Sequence, residues 1–330
     1  MRESDYMDTE ANMQLKKLYQ RYENAEISKH EYWKKAREYT KYLWDFMSVI
    51  KQSREVEFIK ITGNDVIIHT NEGELYFTFD DLPICRAESV LLGTEQENFS
   101  LFRVFIPSNG TVLDIGANVG RVSLAISHYC PDAKIYSFEP VPATYDKLKR
   151  NIELNGKETN IFPYNIGFSN ERGEMILYVS PASEASSMRP LEDAYYVHIG
   201  AEHDRDGQTE VKCYIDTLDY FVQENNMESV DFVKVDAEGA EKLIFEGGEK
   251  FFTKQKPVVY TEMLRKHSAR FGYHPNEIID MFASWGYRCY RENDGCLLPF
   301  LAMDKNTAET NFFFLHNVKH REFINKMAGK

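Results

Sequence analysis

Apolar side chains change their period along this chain, and each change marks a different kind of element. Ala11, Leu15, Leu18 and Tyr22 recur at spacings of four, three and four, which places them on one face of a helix. That helix ends at Asn24-Ala25-Glu26, and Ser28 followed by Glu31 has the spacing of a capping box for a second one. Tyr32, Ala36, Tyr39, Leu43, Phe46 and Ile50 carry the seam onward. Two facing seams predict a helical hairpin over residues 1–52, a docking or oligomerisation element through which the chain forms a homo-oligomer. From Val56 to Asp80 the period becomes two: Val66 and Ile68, then Leu75, Phe77 and Phe79, alternate with their neighbours, and Gly63-Asn64 and Asn71-Glu72-Gly73 supply turns. A small antiparallel β-meander is expected within residues 53–90.

Across residues 91–330 short apolar runs alternate with amphipathic segments. Strands are expected to begin near residues 111, 134, 160, 229, 256, 287 and 310, with helices between most of them. Such alternation predicts an α/β fold with a mainly parallel, doubly wound sheet. No convincing helix separates the last two strands, so they read as an antiparallel pair. An insertion at about 170–215 interrupts the series with a hairpin and a polar loop, Ser180 to Gly207.

Composition narrows the class. A net charge of −13 weighs against a broad grip on nucleic-acid phosphates, while 22 Phe and 20 Tyr exclude a disordered polyanion. The longest nearly apolar stretch, Leu297 to Met303, is far too short to span a bilayer, and Met1-Arg2-Glu3-Ser4-Asp5 opens no apolar leader. Five cysteines without a Cys-x-x-Cys pair argue against a disulfide framework or structural zinc. The expected location is cytoplasmic. His198, His203 and Asp204 match no strong metal template, so no metal site is expected.

Three segments carry chemistry. In Val112-Leu-Asp114-Ile-Gly116-Ala117-Asn118-Val-Gly120 a strand ends in an acid and a glycine-rich turn opens a helix, offering free N–H groups to a ligand. The dinucleotide fingerprint Gly-x-Gly-x-x-Gly fails at Asn118 and Arg121, and no Walker A lysine follows. Phe138-Glu139-Pro140 ends the next strand with a carboxylate suited to two ribose hydroxyls. In Asp231-Phe-Val-Lys-Val-Asp236-Ala-Glu238-Gly-Ala-Glu241 a third strand delivers acids to the same edge, where Glu241 also reads as a first-turn acid favoured by the helix dipole.

Together with Thr217-Leu-Asp219 and Thr94-Glu95-Gln-Glu97, these stretches resemble the FkbM-type family of S-adenosylmethionine-dependent methyltransferases over roughly residues 90–290. The resemblance implies a seven-stranded Rossmann-like methyltransferase sheet with a reversed last strand. It implies that Asp114, Gly116, Ala117, Asn118 and Gly120 hold the methionine part of S-adenosylmethionine, with S-adenosylhomocysteine as product. Glu139 and Pro140 would hold the ribose, Asn165-Ile166-Gly167 the adenine, Asp236 the sulfonium end, and Glu95 the amino group. It also favours O-methylation of a sugar, glycan or glycosylated metabolite. Candidate bases for a hydroxyl acceptor are Asp236, Glu238, Glu262 and His267, the last read as an exposed-loop histidine. The basic run Arg265 to Arg270 suits a phosphorylated or acidic acceptor, or is a solvated loop, and Ser186, Ser187 and Arg189 could border the pocket. Two rivals stand beside this reading: a nucleic-acid methyltransferase, and a catalytically silent S-adenosylmethionine-binding scaffold.

Overall fold

The computed structural model of the chain describes residues 10–38, 56–62, 65–78, 99–179, 186–187 and 209–327. Two compact units divide it, residues 1–56 with 89–94, and residues 57–88 with 95–330.

In the first unit, helix Glu10–Glu23 stops where Ala25 turns left-handed at φ 57°. Residues 29–38 form the next helix, and Ser28 and Glu31 cap it reciprocally. The Glu31 amide donates to Ser28 Oγ at 3.1 Å, and the Ser28 amide donates to Glu31 Oε2 at 3.0 Å. The Ser28 amide, and then the Ser28 hydroxyl, donate to the Glu31 carboxyl and hold it below its ordinary range. Leu18, Ile27 and Ala36 are buried together, and Tyr22 stacks on Tyr32 with ring centres 5.1 Å apart. The rest of the expected seam, from Tyr39 to Ile50, lies outside the described residues.

The second unit begins with a three-stranded meander, β1 (Val56–Thr62), β2 (Asp65–Thr70) and β3 (Gly73–Thr78). Val66, Ile68 and Thr70 of β2 are buried in alternation, as the two-residue period requires, together with Val56 and Leu75. The free edge of β3 meets side chains instead of another strand. The amides of Glu74 and Tyr76 donate to Asn155 Oδ1 and Asn151 Oδ1, at 2.8 and 2.7 Å, on helix Pro142–Leu154 and its cap. Gly63, Asn64, Phe79 and Asp80 lie outside the described residues.

The main sheet uses β4 (Thr111–Ile115), β5 (Lys134–Phe138), β6 (Ile161–Tyr164), β11 (Phe232–Val235), β12 (Val258–Glu262), β13 (Tyr287–Asn293), β14 (Cys296–Pro299) and β15 (Asn311–His316). Their order is β14-β13-β15-β12-β11-β4-β5-β6. β4, β5, β6, β11 and β12 run parallel to one another, β15 runs antiparallel to both β12 and β13, and β14 runs antiparallel to β13. This is the doubly wound sheet with its reversed last strand. The addition is β14, an edge strand that makes eight. It pairs with β13 through a turn in which Asp294 and Gly295 both have positive φ, at 49° and 78°. Asp-Gly between two strands is a strong hairpin signal, and the apolar run from Leu297 is in part this strand.

The insertion forms a separate sheet of β7 (Gly167–Phe168), β8 (Gly173–Val179), β9 (Ser186–Ser187) and β10 (Thr209–Asp216), with β8 and β10 as its antiparallel hairpin. Most of the polar loop, including Arg189, His198, His203 and Asp204, lies outside the described residues. One face of the main sheet buries Phe138, Phe245, Phe252, Phe282 and Phe314. Each such side chain contributes about 1.5–3 kcal/mol on leaving water. Among the described residues no helix is long and apolar enough to cross a membrane.

This topology positions the site. β4 leads to β5 and β6 on one side, while β11 leads to β12 on the other, so the chain reverses its winding between β4 and β11. In open α/β sheets the crevice outside the carboxyl ends at such a reversal receives ligands.

Candidate active site

The turn after β4 contributes mainly its backbone, bonded to a neighbouring carbonyl and to side chains from outside the turn. The amides of Gly116 and Ala117 both donate to the Phe138 carbonyl at the end of β5, at 3.0 and 2.9 Å. Gly116 has φ 74°, and a Cβ placed on it would lie 1.8 Å from the Asp236 carbonyl oxygen. Only glycine lets the turns after β4 and β11 approach this closely. Asn118, also left-handed at φ 52°, donates its amide to Glu139 Oε2 at 3.1 Å. Its Oδ1 is buried and has no hydrogen-bond partner among the described residues. Val119 is held from behind, its carbonyl accepting from Asn151 Nδ2 at 2.7 Å, and Gly120 opens helix Arg121–Tyr129.

The flanking acids differ in what holds them. Asp114 is fully buried, with Oδ2 accepting from Ser123 Oγ at 2.5 Å, while Ser123 Oγ lies 2.6 Å from Ser137 Oγ. Glu139 is 5% exposed, and its Oε1 accepts from the Val141 amide at 2.9 Å. Asn165 spans the next gap, its Nδ2 donating to the carbonyls of Glu139 and Pro140 at 2.9 Å. Ile166 is partly buried against the core, and Gly167 passes close to Ile215 and Pro140. The residues expected around ribose and adenine therefore adjoin one another along the ends of β5 and β6.

The turn after β11 is built by side chains. Glu238 and Gly239 are both left-handed, at φ 52° and 107°, and a Cβ on Gly239 would stand 2.7 Å from the His267 carbonyl oxygen. Glu241 ties the loop from within. Its Oε1 accepts from the amides of Ala237 and Gly239, at 2.9 and 3.1 Å, and Oε2 meets the Tyr273 hydroxyl at 3.2 Å. Burial outweighs these bonds and pushes the Glu241 carboxyl up to about 7. Burial, and then the Glu241 charge, likewise raises the Tyr273 phenol. Glu241 is thus a loop clamp.

The loop aims Glu238 at His267, whose Nδ1 lies 3.1 Å from Glu238 Oε2 and 3.9 Å from Glu262 Oε2. Three of the four candidate bases meet here, and Asp236, a quarter exposed, stands two residues before Glu238. One expectation is corrected: His267 is in helix Arg265–Arg270 and only 5% exposed, facing Glu238 from the turn after β11 and Glu262 at the end of β12. Glu95 lies outside the described residues.

Two residues had escaped notice. Lys234, in the apolar run Phe232-Val-Lys-Val235, is 5% exposed, and its Nζ donates to the Gly116 carbonyl at 2.8 Å. A lysine at an inward position of a buried strand was the available signal. Asn151 carries no comparable signal, since an asparagine in a helix usually faces water. Thr217-Leu-Asp219 proves structural: Thr217 caps helix Leu218–Glu224, and Asp219 accepts from the amides of Lys250 and Phe251 at the start of helix Glu249–Gln255. A groove of about 990 Å³ runs past Arg172, Tyr220, Lys250 and Lys254, and none of the site residues lines it.

Known proteins resemble this chain in sequence. The family model described as the Methyltransferase FkbM domain matches residues 114–289, more than half of the chain. Methyltransferase sdnD of Sordaria araneosa is 31% identical over 159 residues, 43% of this chain and 61% of that relative. Methyltransferase 1 of Beauveria bassiana is 26% identical over 151 residues, 43% of this chain and 59% of its own length. The matched stretches thus span about three fifths of these two relatives. The solved Methyltransferase FkbM from Methylobacillus flagellatus KT aligns with 69% of this chain and 52% of its own, at 14% identity and a TM-score of 0.40. The matched family segment begins at Asp114 and takes in the turns after β4 and β11 together with Glu262 and His267. The chain belongs to the FkbM methyltransferase family.

Proposed function

We propose that this chain transfers a methyl group from S-adenosylmethionine to a hydroxyl of a sugar, glycan or glycosylated metabolite. The observation that carries the reading is the Glu238–His267–Glu262 cluster at the same sheet edge as the Gly116–Gly120 turn. The donor fits this edge on two counts. The turns after β4 and β11 meet at Gly116 at the carboxyl ends of the strands where the winding reverses, and the buried Oδ1 of Asn118 lacks a donor such as an ammonium would bring. S-adenosylmethionine supplies, when bound, a sulfonium whose S–CH3 bond breaks as the acceptor O–CH3 bond forms, the sulfur keeping the electron pair.

The chain's own residues then have two tasks. The turn Asp114 to Gly120 and the acids Glu139 and Asp236 orient the donor, and holding reactants in line contributes up to about 7–11 kcal/mol. The cluster takes the hydroxyl proton. Glu262, the most exposed member of the cluster at 24%, is the base that meets the acceptor, and the buried Glu238 and His267 behind it hold its position through Nδ1, which faces both carboxylates. A positioned base of this kind adds about 100- to 10,000-fold. Arg265, Lys266 and Arg270 on the same helix supply positive charge for a phosphorylated or acidic acceptor.

The test is a labelled methyl-transfer screen over nucleotide sugars, oligosaccharides and RNA. Transfer to a carbohydrate hydroxyl, lowered about 100- to 10,000-fold in Glu262→Gln with S-adenosylhomocysteine binding retained, supports the proposal. Transfer to RNA alone, or full turnover in Glu262→Gln, overturns the acceptor or the base assignment. As a further part of the proposal, the hairpin of residues 1–52 assembles copies of the chain; its removal should lower the number of chains per particle in sedimentation, and an unchanged number rejects that role.

A further inference from the structure

A lysine almost wholly withdrawn from water needs partners, and Lys234 has acquired them at one spot. On β11 it is in register with Asp114 of β4, so both side chains stand on the same face of the sheet. Its Nζ lies 2.8 Å from the Gly116 carbonyl oxygen, 3.4 Å from Asp114 Oδ1 and 3.5 Å from Asp236 Oδ2. One ammonium therefore joins the strand-ending acid, the glycine turn and the first acid of the loop after β11. Asp114 has no exposure and Asp236 little, so two negative charges at this edge face one positive charge.

Resting on the donor site proposed above, we propose that Lys234 is a positioning residue that sets how strongly this edge distinguishes a cationic sulfonium from the neutral thioether left after transfer. Methyl transfer discharges the sulfonium. Any negative field at that atom stabilises the bound donor more than the transition state, in which the positive charge is already dispersing, and so slows the reaction. Asp114 and Asp236 without a counter-charge would create such a field. Lys234 offsets it while its bond to the Gly116 carbonyl fixes the turn. A lysine that served only to fill and tie the sheet would leave the relative affinities of the two ligands unchanged when replaced.

Calorimetry with S-adenosylmethionine and S-adenosylhomocysteine tests this on the full chain and on Lys234→Met, Lys234→Gln and Lys234→Arg. Both neutral variants should favour the sulfonium over the thioether about tenfold more than the parent does, a ratio set by one charge at close range in a poorly screened site. Lys234→Arg, which keeps the charge, should stay within about twofold of the parent ratio. A folded neutral variant with the parent's ratio overturns the inference, as does the collapse of both neutral variants, which makes Lys234 structural only. Failure of the unaltered chain to bind either ligand overturns the donor-site reading itself and this inference with it.

Discussion

The turns after β4 and β11 touch at Gly116 and Asp236, yet they are made on opposite plans. The first offers its backbone, bonded to a neighbouring carbonyl and braced from outside by Glu139, Asn151 and Lys234. The second takes its shape from ionisable side chains, Glu241 clamping the loop while Glu238, Glu262 and His267 face one another. A site fixed by backbone suits a ligand common to a whole family. A site fixed by side chains can alter its proton chemistry by single substitutions without rebuilding the sheet. The difference predicts that changes in the first turn damage fold and donor binding together, and that changes in the second separate them.

The largest effect belongs to Gly116→Ala. The new methyl group would meet the Asp236 carbonyl at 1.8 Å in a left-handed backbone, so both turns must move. The expected loss exceeds about 4 kcal/mol in chemical denaturation, with donor binding abolished. A variant that unfolds at the parent's midpoint would show that the two turns are not tied.

The second plan is tested by pH. The Glu241 carboxyl titrates near 7 in the folded chain against an ordinary value of 4.5. Between those values the folded state holds the proton more tightly than the unfolded one, so stability falls as pH rises through the window and stays lower above it. The whole fall is about 3 kcal/mol for a shift of this size. Glu241→Gln keeps an acceptor for the amides of Ala237 and Gly239 but cannot ionise, so its stability should stay nearly level over that window. Parallel denaturation profiles for parent and variant between pH 5 and 8 would remove Glu241 as the source.

Returning to the first plan, Glu139→Ala should weaken S-adenosylhomocysteine binding about a hundredfold by calorimetry, because two amides lose their acceptor beside the ligand. Glu139→Gln, which keeps one carbonyl oxygen, should lose about tenfold. Equal losses would assign the effect to the ionic charge rather than to acceptor geometry.

How far the sequence reveals these two plans differs in the same way. The glycine turn, Glu139 and the acids after β11 are local patterns, and the alternation of periods places the strands that carry them. What escapes is long-range. His267 sits in a basic run that reads as solvated, and only the folded sheet brings Glu238, 29 residues earlier, to it. Lys234 gains its meaning from Asp114 and Gly116, more than a hundred positions away. Asn151 and Asn155 act on a meander strand far earlier in the chain. The hairpin at Asp294-Gly295 is different, since its turn signal is local but was masked by the apolar run beside it.

The smallest expected effect isolates the one polar side chain of the first turn. Asn118 has two reasons to be asparagine: it tolerates φ 52°, and its buried Oδ1 stands ready to accept. Alanine would confound them, because a Cβ without a compensating amide is strained in the left-handed region. Asn118→Gly separates them, since glycine adopts that backbone freely and keeps the amide that donates to Glu139. Stability should change by no more than about 1 kcal/mol, while affinity for S-adenosylmethionine should fall about fivefold through loss of the acceptor, a net hydrogen bond of about 1 kcal/mol. If affinity holds and only stability moves, the carboxamide serves the turn alone, and the backbone plan accounts for the whole of that half of the site.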